Sequence, residues 1–402
     1  MFTILTIALW LVAFTWVVSL ILTLYSLSRQ KSLLPATNLR LTASDVPLVS
    51  ILVPARNEEH RVLKACLQSI LAQDYGRFEV IAVNDRSTDA TGTILETLSK
   101  GDARLRVIEG NELPPGWLGK PYAMQQALDH ASGEWILATD ADMIFEPSLL
   151  RSALERTAEA KAEALTLIPL FEAHSFWERV MIPTWVWVFS MFSLFYRIDD
   201  PKSDRAMGIG GFFLVRRTVL DRVGGYEGLK DEVMEDARLA ERIKHSGARL
   251  LFDPAPALIR TRMYSTFAEM WECSTKNWFS GVNFSLPLAL YCVASMYLVA
   301  VVPPVIALLL VVAGLRTEMT WLFIPAALSW LLQVLVMVLV SIRSGVSPVY
   351  AFTAPLGLAT IYAMLFASSI SITTGRGVTW KGRKIYERRG VRPPRQSQSA
   401  LR

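Results

Sequence analysis

Two kinds of hydrophobic pattern alternate along the 402-residue chain. Residues 1–28 form an apolar run without a charged side chain. At 1.5 Å per residue, a helix of that length exceeds the roughly 30 Å of a hydrocarbon core. A cleaved signal peptide is the alternative, but the run lacks a basic opening and a small-residue cleavage pattern. It reads as an uncleaved transmembrane anchor. Arg29, Lys31 and Arg40 follow, which puts the next segment on the cytoplasmic side.

From Val46 to Ala173 the pattern changes. Short β-rich runs (Leu48–Pro54, Phe78–Asn84, Leu105–Ile108, Trp135–Thr139) alternate with helical patterns (His60–Gln73, Asp89–Ser99, Lys120–Ala131). Such alternation predicts an α/β fold with a mostly parallel sheet covered on both faces. Ligands of such sheets bind at the carboxyl ends of the strands.

Val180–Tyr196 is again uncharged and aromatic, but short and interrupted by Pro183. A core helix is one reading. An interfacial helix along a membrane fits its Trp and Phe content better. After a second polar stretch, three uncharged runs follow: Asn277–Leu315, Met319–Ile342 and Ser344–Gly375. They predict about three further membrane helices within residues 284–375. Four crossings in all would leave both termini outside, whereas the basic tail over 376–402 should be cytoplasmic. Either the run around Pro303-Pro304 is broken or re-entrant, or one late segment lies flat.

Composition agrees with a membrane protein. Hydrophobic residues make up 52% and charged residues only 19%, against about 25% charged in soluble domains. The net charge is +5, yet the tail alone holds nine Lys/Arg and one acid, a local +8 that leaves −3 for the rest. This excludes a generally basic nucleic-acid binder and points to a membrane-surface tail. Three scattered cysteines give neither a disulfide framework nor a zinc spacing.

The candidate chemistry sits at the strand ends. Asp140-Ala141-Asp142 follows the strand Trp135–Thr139, where two alternating carboxylates can reach a hard divalent cation, Mg²⁺ or Mn²⁺, and ligand hydroxyls. Alone, the pair could equally cap a helix over Phe145–Leu150. However, Pro54-Ala55-Arg56-Asn57-Glu58 closes the first strand, and Asn84-Asp85-Arg86-Ser87-Thr88-Asp89 closes the second. Three successive strands thus end in polar, carboxylate-bearing loops, and a nucleotide-type site becomes the better reading.

These segments resemble the successive motifs of family 2 glycosyltransferases with the GT-A fold. V-P-A-R-N-E-E, N-D-R-S-T-D-A-T, G-K-P-Y-A-M-Q-Q-A-L and T-D-A-D are joined by G-I-G-G-F-F-L-V-R-R (208–217), V-G-G-Y (223–226) and E-D-A-R-L-A (235–240). The resemblance covers about 47–280, and implies a GT-A domain over 46–280 carrying the aromatic segment 180–196. It implies that Pro54, Arg56, Glu58 and Asp85 line a base and ribose pocket. Asp140 would approach the ribose or sugar, and Asp142 would hold the metal bridging the diphosphate. Lys120, at a helix start, would face phosphate charge; a solvated surface lysine is the alternative. Asp236, with Glu235 beside it, would be the base of an inverting single displacement. Both could instead be an acidic first helical turn. Gly210 and Gly211 would admit the acceptor or sugar, or merely turn the chain.

Processive synthases of this family carry Q-x-x-R-W after the base. Here that stretch reads Ser274-Thr275-Lys276-Asn277-Trp278, with only Trp278 kept in the acceptor region. This favours transfer of one sugar. The layout, with R-T-R-M-Y (260–264) and W-K-G-R (380–383), resembles bacterial hopene-associated and carotenoid-type enzymes, with a plan similar to ceramide glucosyltransferases. The expectation is a metal-dependent transferase taking a nucleotide sugar, UDP-linked by family habit, to a lipid or polyprenoid hydroxyl. Its catalytic domain would be cytoplasmic, at a bacterial inner membrane. A polysaccharide or polyprenyl-phosphate sugar synthase is the alternative enzyme. A transporter or scaffold with a degenerate nucleotide domain is the non-enzyme reading, disfavoured because the membrane runs hold no ionisable residue.

Overall fold

The computed structural model describes residues 2–36, 46–314, 319–380 and 383–386. Most of the basic tail, and Arg40, lie outside those residues. The chain forms two compact units: Gln30–Glu172 with Ser193–Met263, and Met1–Arg29 with Ala173–Phe192 and Tyr264–Arg402.

Helix α1 (Phe2–Arg29) opens the chain. The first unit then runs through β1 (Val49–Ala55), α2 (Leu63–Leu71), β2 (Phe78–Asn84), α3 (Thr91–Ser99), β3 (Leu105–Glu109), α4 (Gly119–Asp129) and β4 (Trp135–Ala138). It continues with β5 (Met143–Phe145), α5 (Leu149–Ala160), β6 (Ala164–Ile168) and β7 (Leu170–Phe171). The chain leaves through α6 (Phe176–Ser193) and returns as β8 (Phe213–Arg216), α7 (Arg217–Arg222), α8 (Glu235–His245), β9 (Leu250–Pro254) and β10 (Ile259–Thr261).

Seven strands form one sheet in the order β3-β2-β1-β4-β8-β6-β9. All neighbours are parallel except β8, which runs antiparallel to both β4 and β6. β4 reads as an unbroken apolar run, and β1 as one broken only by Ser50, because both faces of a central strand are covered. Ile51, Leu52, Val53, Ile136 and Leu137 are fully buried there. The order reverses between β1 and β4, since β2 and β3 extend to one side and β4 to the other. That switch point is where an open α/β sheet leaves a crevice for ligand. The four expected strands are present within a residue or so; β6, β8 and β9 of this sheet are additional to them. Nor do Asp140 and Asp142 cap a helix over Phe145–Leu150. β5 occupies the first of those residues, and α5 starts at Leu149 behind Ser148.

The helical unit comprises α1, α6, α9 (Phe267–Gly281), α10 (Leu286–Met296), α11 (Val302–Val312), α12 (Thr320–Arg343), α13 (Ala354–Thr373) and a hairpin of β11 (Val378–Trp380) and β12 (Arg383–Ile385). Among the described residues four helices are long and apolar enough to cross a membrane: Thr3–Arg29, Leu286–Val312, Thr320–Arg343 and Pro348–Thr373. The second is α10 and α11 joined by a π-helical turn at Tyr297–Val301. It runs on through that turn without breaking.

The cause of the turn is Pro303-Pro304. Proline has no N–H for the carbonyl four residues back, which frees Val299 O and Ala300 O. Both are captured from other helices. Trp16 Nε1 of α1 donates to Val299 O at 3.0 Å, and Gln333 Nε2 of α12 donates to Ala300 O at 3.3 Å. The Trp16 ring also stacks on Trp187 of α6, 5.4 Å between centroids. Pro183 does not interrupt α6, which runs unbroken over 18 residues.

Candidate functional site

The carboxyl ends of β1, β2 and β4 build one site within the sheet unit. Beyond β1, Arg56 Nη1 donates to Asp85 O at 2.7 Å and Arg86 O at 3.1 Å, tying the first polar loop to the second. Arg86 pairs in turn with the Asp85 carboxylate. Asn57 (φ 51°) and Arg86 (φ 52°) both sit in the left-handed region, a conformation that non-glycine residues adopt mainly where surroundings impose it. Here the imposed contacts are visible. Asn57 N–H donates to Ser87 Oγ at 3.2 Å, its Oδ1 accepts from Thr88 N–H at 3.0 Å, and Glu58 N–H donates to Thr91 Oγ1 at 2.7 Å. Pro54, the penultimate residue of β1, lies beyond Leu52, the last residue paired with β4. It stands where a missing N–H leaves that ladder intact.

Asp140 and Asp142 lie in the turn between β4 and β5. Thr261 Oγ1 of β10 donates to Asp142 O at 3.0 Å and anchors the turn. Cys66 of α2 is buried close by. Burial, and then the charges of Asp142, Asp140 and Glu58, push its thiol upward.

The second half of the site is a charged knot. Lys120 Nζ lies 2.6 Å from Asp140 Oδ1 and 2.7 Å from Glu235 Oε1. A lysine as the second residue of α4 opposes the helix dipole. Its placement follows from the carboxylates instead. Burial favours the neutral amine, but Asp140, Glu235 and Asp236 outweigh it and raise the Lys120 pKa well above its ordinary value. Its ammonium is paired with two carboxylates, although 37% of the side chain stays exposed.

Asp236 is held by two backbone donors: Gly210 N–H donates to Oδ2 at 2.7 Å and Ala237 N–H to Oδ1 at 2.8 Å. Burial, followed by repulsion from Glu235 and against the pull of Lys120, pushes its carboxyl up to about 6. Glu235 and Asp236 form the acidic first turn of α8, as the structural alternative expected.

Residues 208–211 need glycine for closeness. A Cβ on Gly210 would come within 2.8 Å of Lys120 Nζ, 3.1 Å of Asp140 Oδ2 and 3.4 Å of Asp236 Oδ2. On Gly211 it would strike Met143 Sδ at 2.8 Å. The segment is pinned by Thr166 Oγ1, which accepts from Ile209 N–H at 3.0 Å, and by Thr139 Oγ1, which donates to Gly211 O at 2.8 Å. Thr139 is visible in the sequence only as part of T-D-A-D, and Thr166 lies in a segment that carries no motif. Tyr226, buried beside the knot, was visible only as part of V-G-G-Y. Trp278 belongs to the helical unit, where it stacks on Phe189 at 5.4 Å.

Among the described residues no three His, Cys, Asp or Glu side chains gather as a closed metal cage. The donor set at the β4 end is hard carboxylate oxygen. It fits a divalent ion that completes its shell with phosphate and water rather than with protein.

Residues 50–224 match the family model for glycosyl transferase family 2. Glycosyltransferase GlyA of Streptococcus pneumoniae is 31% identical over 115 residues, 29% of this chain and 16% of that protein. Probable glycosyltransferase YdaM of Bacillus subtilis is 26% identical over 258 residues, covering 60% and 56%. Beta-monoglucosyldiacylglycerol synthase of Nostoc is 28% identical over 205 residues, covering 49% and 41%. The chain thus spans from a sixth to little more than half the length of these relatives. Among solved structures, the mannosyltransferase PcManGT from Pyrobaculum calidifontis, in complex with GDP-Man and Mn²⁺, aligns at TM-score 0.51 and 19% identity over 90% of this chain and 98% of that one. That likeness concerns the fold. Sheet order and strand-end loops agree with a GT-A-like α/β fold, in which residues 50–224 are similar to glycosyl transferase family 2.

Proposed function

We propose that this chain transfers a single sugar, with inversion, from a nucleotide sugar to a hydroxyl of a membrane lipid or polyprenoid. One observation carries the reading: Asp236, fixed by two backbone N–H groups, adjoins a Lys120 ammonium shared with Asp140 at the sheet's switch point.

The acceptor O–H attacks the anomeric carbon. The carbon–oxygen bond to the diphosphate breaks, and the acceptor proton passes to Asp236. A carboxylate with a raised pKa holds that proton better than an ordinary aspartate. Lys120 stands where positive charge offsets the departing diphosphate. Arg56, Glu58, Asp85 and Pro54 form the base and ribose side, while Asp140 meets the sugar or ribose. Asp142 would hold a Mg²⁺ or Mn²⁺, whose chemistry is to neutralise diphosphate charge. The solved neighbour's complex with GDP-Man and Mn²⁺ is in keeping with that assignment.

Two features favour a lipid acceptor: the long apolar helices, and the Nostoc relative, a synthase of a monoglucosyl diacylglycerol by name. The absent Q-x-x-R-W pattern speaks against a polymer product. The test incubates purified chain with labelled nucleotide sugars and membrane lipid extract, followed by mass spectrometry. The expected product is one lipid heavier by one sugar. A ladder of lengthening glycans, or exclusive use of water-soluble acceptors, overturns the proposal.

A further inference from the structure

We propose that the last long apolar helix, Pro348–Thr373, does not cross the membrane. It would lie along the cytoplasmic surface beside α6 and α9, leaving three crossings and a cytoplasmic tail. The inference rests on the reading of this chain as a membrane protein.

The argument starts with α6, whose side is set by connectivity. Its 18 residues, about 27 Å of helix, join Glu172 to Ser193, and both of those belong to the sheet unit. Strand β8, which follows α6, pairs with β4 and β6, which precede it. A single sheet cannot be threaded through a bilayer, so the two ends of α6 share one side.

Helix α9 begins four residues after Met263, the last residue of the sheet unit. It runs alongside α6, with Trp177 and Phe267 4.5 Å apart at one end and Phe189 stacked on Trp278 at 5.4 Å near the other. Both ends of α9 are therefore level with ends of α6.

The last apolar segment follows the same track. At its start, Arg179 Nη1 of α6 donates to Tyr350 OH at 3.1 Å, and the Phe176 and Tyr350 rings are 6.1 Å apart. Further along, a Cβ on Gly357 would come within 3.3 Å of Val180 Cγ1, so α13 passes α6 nearly backbone to side chain. At its end, Ser368 Oγ donates to Thr275 O of α9 at 2.5 Å. The hairpin that follows puts Trp380 over Lys276, 4.5 Å from the ring centroid to Nζ. Both ends of the segment thus meet helices tied to the catalytic side.

Three further observations agree. The segment has the lowest mean hydropathy of the four candidates, and 56% of its apolar window is covered, against 22% for α1. Arg343 precedes it and Arg376 follows it, the basic flanking expected when both ends stay inside. The other three helices are in register with one another. The carbonyl-capture layer of Trp16, Val299, Ala300 and Gln333 lies about 20 Å of helix from the far ends at Phe2, Val312 and Thr320.

The experiment uses the full-length chain in a bacterial host. A C-terminal green fluorescent protein fusion should fluoresce and the matching alkaline phosphatase fusion should be silent. Ala313→Cys should react with a membrane-impermeant maleimide from outside, against the low background of three buried native cysteines. In nanodiscs, nitroxide labels at Phe352→Cys and Ile370→Cys should report equal depth by oxygen and nickel collision. An active phosphatase tail, or labels at opposite depths, overturns the flat segment. Ala313→Cys reacting only from the cytoplasmic side overturns the membrane reading beneath it, a separate failure.

Discussion

The two units of this chain are apolar in different ways. In the sheet unit, strands of four to seven residues alternate with polar loops, and the core is closed around Ile51, Val53, Leu137 and Leu214. Polar groups are consequently few, local and assigned to a task. In the helical unit, large apolar side chains such as Phe14, Leu309 and Trp321 stay exposed, and the contacts that define its architecture are a handful of captured carbonyls and ring stacks. The sheet unit is specified by pattern; the helical unit is specified by its exceptions. Substitutions in the two should therefore fail differently: through turnover in one, through stability and placement in the other.

The largest expected effect is in the knot. Asp236→Asn should lower kcat about 10³-fold, the scale of a lost general base, with donor binding retained by isothermal titration. Normal turnover would remove Asp236 from the mechanism. Lys120→Met should cost about 10²-fold in kcat/KM and also move the pH profile. Asp236 must be deprotonated to accept a proton, and its carboxyl is pushed up to about 6. Turnover should thus fall as pH drops through that value. Because Lys120 pulls the pKa down, removing it should shift the acid limb to higher pH. An unmoved limb would separate Lys120 from the base.

Gly210→Ala should cost about 10²-fold by displacing the three side chains packed at that Cβ position, since ångström misplacement suffices. Far-ultraviolet circular dichroism should stay native. The smallest effects belong to the helical unit. Trp16→Phe keeps the ring that stacks on Trp187 but removes its N–H, and Gln333→Leu removes the other donor. Each should destabilise by about 0.5–1.5 kcal/mol, read as lowered thermal stability in detergent with kcat unchanged. A kinetic effect without a stability loss would erase the division between the units.

How legible each unit is in the sequence follows the same line. Strand-end loops such as Asn84–Asp89 announce themselves because Asp, Asn and Ser recur where an apolar run stops. The α/β class and the three-loop convergence follow from that alone. Strands β6, β8 and β9 are hidden because their pairing joins segments far apart in the chain, which no local pattern encodes. Lys120 was ambiguous because its ion partners are 20 and 115 positions away. In the helical unit, Trp16 and Gln333 look like any interfacial or stray polar residue. Their meaning depends on a proline pair located elsewhere.

That proline pair also bears on biogenesis. Val299 and Ala300 reach the membrane with carbonyls their own helix cannot satisfy, and the two donors arrive at different times. Trp16 is already in place, whereas Gln333 is made more than thirty residues later. The segment is half-satisfied throughout that interval and is completed only by the helix that follows it. Integration of this unit should therefore be obligately sequential, with Leu286–Val312 held at the translocon until α12 joins it, and a chain truncated before Gln333 should be a substrate for membrane quality control.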